Sequence, residues 1–69
     1  MKAYTVEVTD GVTNNPIKET NSQRMAFRAS NSYLSNLKEN EMIVIKCEGQ
    51  IKFSIRKEGD EFKKKLYLR

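Results

Sequence analysis

The chain has 69 residues, 13 basic and 9 acidic, with no histidine, one cysteine and a net charge of +4 at pH 7. That length supports one small domain, residues 1–69, with a single modest core. A lone cysteine excludes an internal disulfide, and no apolar run approaches the roughly 20 residues that a membrane-spanning helix needs.

The first strand is expected over about Lys2 to Thr9, with Tyr4, Val6 and Val8 on one face and Thr5, Glu7 and Thr9 on the other. Asp10-Gly11 is a turn signal. From Val12 to Ser22 the text is polar around Asn14-Asn15-Pro16. Proline lacks a ladder donor and restrains its neighbour, so this stretch reads as a loop or a ragged edge. Arg24 to Ser30 reads as a second strand, because Met25 and Phe27 alternate with Arg24 and Arg28. Ser30, Asn31 and Ser32 then offer helix caps, and Tyr33, Leu34 and Leu37 stand at helical spacing, so a short helix should end near Asn40. Met42 to Cys47, Ile51 to Arg56 and Phe62 to Arg69 complete a meander, joined through Glu48-Gly49-Gln50 and Glu58-Gly59-Asp60-Glu61. The expected fold is α+β: a single antiparallel sheet of about five strands, in the order ββαβββ, with one short helix packed on one face.

Strand parity sorts the side chains. One face collects Met25, Phe27, Ile43, Ile45, Cys47, Ile51, Phe53, Ile55, Phe62, Leu66 and Leu68 as core. The other collects Arg24, Arg28, Lys46, Lys52, Arg56, Lys63, Lys65, Tyr67 and Arg69, with no acid among them. Lys64 is out of phase and falls on the apolar parity, as a lysine at a sheet margin would. The charge is also unevenly placed along the chain. Residues 1–41 hold five basic and five acidic side chains, whereas residues 42–69 hold eight and four, so the whole excess lies in the last three strands.

Chemistry is sparse. Without histidine the commonest neutral-pH acid–base group and metal ligand is missing, and scattered carboxylates with one thiol spell out no metal site. Gly11, Gly49 and Gly59 sit in separate turns and make no phosphate-cradling loop. Asp60 and Glu61 share a solvated hairpin tip, which offers no desolvation to shift a pKa. Cys47 lies on the inward parity and reads as a small hydrophobe. No catalytic group, metal or cofactor is expected.

The basic face has a bland explanation, since a one-layer sheet must show polar residues to water and lysines discourage edge aggregation. Two features favour a contact surface instead. Like charges opposed across strands cost some tenths of a kcal/mol per pair, and Tyr67 stands among Lys63, Lys65 and Arg69 as a ring beside cations. With one ring there is no basis for reading base sequence, so the face implies salt-dependent contact with a phosphate backbone.

The opening Met1-Lys-Ala-Tyr, the expected strand-to-helix passage Phe27-Arg-Ala-Ser30 and the hairpin around Ile55-Arg-Lys-Glu-Gly59 resemble small phage-encoded anti-CRISPR proteins, especially a type I-F inhibitor with a strand–strand–helix–three-strand layout. The resemblance implies a protein of a bacterial cytoplasm whose positive residues engage the nucleic-acid-binding surface of a CRISPR surveillance complex. The basic helix of that family has no counterpart here: from Asn31 to Asn40 only Lys38 is cationic, so no helix residue is carried over.

The expected function is therefore that of a non-enzymatic binding or inhibitor protein. Its partner would be polyanionic (DNA, RNA or a ribonucleoprotein) or an acidic protein surface, with no membrane involved. The alternative is a protein-interaction module or homodimer acting through a sheet edge or the 12–22 loop, its basic face only solubilising. One cysteine, and an N-terminus that alternates too early for a signal peptide, point to the cytoplasm.

Overall fold

A computed structural model describes residues 3–67. The elements are β1 (Tyr4–Thr9), β2 (Asn14–Thr20), α1 (Gln23–Tyr33), a single 3₁₀ turn (Leu34–Asn36), β3 (Met42–Cys47), β4 (Gln50–Glu58) and β5 (Glu61–Leu66). All five strands form one antiparallel sheet in the order β2-β1-β3-β4-β5. The expected class and element order are thus realised: one antiparallel sheet with one short helix.

The second strand and the helix stand elsewhere in the chain than expected. Arg24 to Ser30 is helix, and the second strand is the proline-containing stretch Asn14–Thr20. The helix starts where Ser22, in an extended conformation, accepts a hydrogen bond from the Met25 N–H at 3.3 Å. Its buried stripe is built from small residues, Ala26 and Ser30, followed by half-buried Tyr33 and buried Leu37. The spacings of four and three from Ala26 to Tyr33 follow a helical period, and Leu37, extended after the 3₁₀ turn, is also buried, whereas Met25, which carried the strand alternation, is exposed. The buried Ser30 hydroxyl donates to the Phe27 carbonyl at 2.8 Å, so no polar atom is orphaned at this close approach.

The core lies between α1 and one face of the sheet. Ile43, Ile45 and Val6 are paired in register (Val6 with Ile45, Val8 with Ile43) and, with Ile55, are no more than 1% exposed. Phe27 from the helix meets Phe53 edge-to-face at a centroid distance of 5.0 Å. Cys47 is buried in β3, as its parity requires. The helix backbone lies over β1, β2 and β3 and reaches β4 through the Phe27–Phe53 contact, which leaves β5 and the tip of the β4–β5 hairpin beyond it.

Turn chemistry closes the sheet. Asp10 Oδ1 accepts from the Val12 and Thr13 N–H groups at 2.9 and 2.8 Å. Those bonds hold its carboxyl below the ordinary carboxylate range. Glu48 and Gly49 both take positive φ, 53° and 83°, the mirror-image turn that suits a two-residue hairpin between Cys47 and Gln50. Among the described residues no helix is long and apolar enough to cross a membrane.

Candidate functional site

The face of the sheet away from α1 is where the predicted basic residues would gather, and register decides which of them do. Arg56 pairs with Lys63, and Ser54 with Lys65, across β4 and β5, so these four side chains share that open face. Tyr67 continues past β5. Its N–H donates to the Lys52 carbonyl at 3.0 Å, and its hydroxyl lies 3.4 Å from Ser54 Oγ. Lys65 places its ammonium 4.9 Å from the centre of the Tyr67 ring. Arg56, Lys63, Lys65 and Tyr67, with Met42, Ser54, Glu58 and Lys64, line a groove of about 270 Å³.

The remaining predicted residues divide. Lys46 is on this face, but its ammonium is 3.2 Å from Glu7 Oε1, and both side chains are largely buried. Glu7 reaches the face because β1 lies beside β3, with Glu7 opposite Val44. That Oε1 accepts no hydrogen bond, so Lys46 is its countercharge through proximity alone. An acid therefore stands on the face expected to hold none, and Lys46 is committed to it. Lys52 is the extra residue of a register break in β4, between Phe53 (paired with Ile45) and Ile51 (paired with Lys46). Its ammonium reaches Gln50 Oε1 at 3.4 Å. The same break turns Ile51 to the open face, opposite Lys46, rather than into the core. Arg24 and Arg28 are exposed on α1, on the opposite side of the sheet, and cannot join the groove. Arg69 and Leu68 lie outside the described residues.

Two acids border the groove without closing it. Lys63 and Glu61 approach to 3.3 Å, but at 59% and 75% exposure such a pair contributes little, about 0–1 kcal/mol, and opens readily. Glu58 and Glu61 face each other at the hairpin tip. The cations thus occupy the middle of the hairpin and the acids its end. A larger hollow, about 700 Å³, runs between the β1–β2 turn, Glu39-Asn40 and the β4–β5 tip. Its Asp10, Glu39 and Glu58 offset Arg56 and Lys57, so it has no dominant sign. Among the described residues no three histidine, cysteine, aspartate or glutamate side chains cluster as metal ligands would.

What remains is a concentrated corner: three exposed cations and one tyrosine whose ring is set by a ladder hydrogen bond and a hydroxyl contact. It can hold oxyanions by charge and present a planar ring for stacking. The groove was missed as a unit because its boundary depends on Glu7 and on the β4 break, neither visible in the parity of the basic segments. No family model, characterised protein or solved structure matches the chain.

Proposed function

We propose that the chain is a non-enzymatic binding protein that engages the phosphate backbone of nucleic acid, free or displayed by a nucleoprotein complex, through Arg56, Lys63, Lys65 and Tyr67. The observation that carries this reading is the cross-strand placement of Arg56 opposite Lys63, with Lys65 next along β5 and Tyr67 beside it. Opposed like charges cost some tenths of a kcal/mol per pair, so the cluster gains stability when an anion occupies it. Its three cations are exposed, and the Glu61 beside Lys63 makes only a solvent-exposed contact, unlike the largely buried pair of Lys46 and Glu7. The resemblance to anti-CRISPR proteins gives the function a specific form, a phage or mobile-element inhibitor that acts in a bacterial cytoplasm by occupying a nucleic-acid-binding complex. The strand–strand–helix–three-strand order supports that form at the level of layout.

The test is oligonucleotide binding across a salt series. Three phosphate contacts predict that log affinity falls with log salt with a slope of about −2 to −3. Reversing Arg56, Lys63 and Lys65 together to Glu should lower affinity at low salt by about 100-fold or more and flatten that slope, with circular dichroism unchanged. A folded triple variant that binds as well as the parent overturns the reading.

A further inference from the structure

The sheet has two edges, and they are built differently. At β2, Pro16 has no N–H to offer, and the register with β1 breaks so that Ile17 is left without a partner residue. Proline and a bulge are standard means of blunting an edge. At β5 the register with β4 runs unbroken from Leu66 opposite Phe53 to Glu61 opposite Glu58, without proline.

The hydrogen-bond phase of β5 follows from its neighbours. The Tyr67 N–H bonds to the Lys52 carbonyl of β4, and on the far side of β4 the Lys57 N–H bonds to the Glu41 carbonyl. Alternate residues of an antiparallel strand bond to the same neighbour. Lys63, Lys65 and Tyr67 therefore bond toward β4, and Phe62, Lys64 and Leu66 turn their N–H and C=O groups outward. Among the described residues no strand meets them.

The side chains along this edge make a two-sided code. Lys63 and Lys65 are on the open face. Phe62 (38% exposed) and Leu66 (59% exposed) are on the other, with Lys64 between them, where α1 does not reach. A strand laid against β5 would present alternate residues to those two faces, acidic ones to Lys63 and Lys65 and apolar ones to Phe62, Leu66 and the aliphatic stem of Lys64. A second copy of β5 is the wrong partner. Antiparallel pairing centred on Lys64 would set Lys64 against itself and Lys63 against Lys65, all like charges.

We propose that the outer edge of β5 captures an extended polypeptide segment in which acidic and apolar residues alternate, adding it to the sheet as a sixth strand. Main-chain bonds to Phe62, Lys64 and Leu66 supply the pairing, and the two faces supply the selectivity. This goes beyond phosphate binding and does not depend on it, although both draw on Lys63 and Lys65.

The probe is a blocked heptapeptide of alternating glutamate and valine, compared with a peptide of the same composition in two homopolymeric blocks. Binding followed by NMR should protect the Phe62, Lys64 and Leu66 amides from exchange and favour the alternating peptide by about tenfold. Lys64→Pro removes an outward N–H without breaking a bond to β4, and should abolish capture, whereas Lys64→Ala should weaken it only about two- to threefold. Oligonucleotide affinity should be the same for those two variants, so failure of this site and failure of the phosphate site are separable. Should Lys64→Pro unfold the chain, the peptide itself gives the answer. N-methylation at alternate residues in one phase should abolish binding, and in the other phase should spare it. Equal binding of the alternating and block peptides, equal loss with both N-methylation phases, protection at β2 instead of β5, or a β5–β5 dimer in sedimentation would each overturn the proposal.

Discussion

Lys46 and Glu7 show how one neighbour changes the meaning of a residue. On its own strand Lys46 belongs to a basic series, yet in the sheet its ammonium is 3.2 Å from a carboxylate oxygen with no hydrogen bond of its own. Removing the lysine leaves that charge without compensation in a largely buried position, which costs more than the pair contributes. Lys46→Gln should therefore destabilise the fold by about 1–2 kcal/mol in urea unfolding, and adding Glu7→Gln should restore at least half of that. Oligonucleotide affinity should change by less than about twofold in Lys46→Gln, but fall clearly in Lys65→Gln. Equal losses in the two variants would return Lys46 to the binding surface. Tyr67 is the converse case, since its value comes from the Lys65 cation at one side and Ser54 at the other, not from its parity.

At the scale of elements, the helix and β2 carry the lesson about what the chain shows in advance. β3, β4 and β5 were legible because apolar residues recur at every second position (Ile43, Ile45 and Cys47; Ile51, Phe53 and Ile55; Phe62 and Leu66) around two glycine turns. β2 was half legible: Pro16 marks it as an edge, but exposure along nearly all of it erases the alternation that marks a strand. The helix was misplaced because its contact stripe uses Ala26 and Ser30, which a hydrophobic count overlooks, while Met25 and Phe27 imitate a strand. The capping serine at 22, rather than those at 30 and 32, sets its start. Ser22→Ala should lower stability by about 1 kcal/mol in thermal unfolding, through an unsatisfied first turn. No loss would mean that packing alone fixes the helix boundary.

For the whole molecule, the decisive asymmetry is that α1 lies over the β2-β1-β3 side of the sheet, touches β4 through Phe27 and Phe53, and does not reach β5. Among the described residues nine apolar side chains are buried, a small core that reaches as far as Ile55 of β4, and β5 with the exposed cations extends outside. The net charge of +4 arises in residues 42–69, as composition indicated, but the fold narrows the usable part to one corner. The four members of the predicted surface that form the groove come from β4, β5 and the residue just beyond, and the helix arginines face away. The most direct test of this account is an amide-shift NMR titration with a short single-stranded oligonucleotide at low salt. The account predicts that shifts concentrate at Ser54, Arg56, Lys63, Lys65 and Tyr67 and leave Arg24 and Arg28 unmoved. Shifts centred on the helix arginines or on Lys46, or none at all, would contradict it.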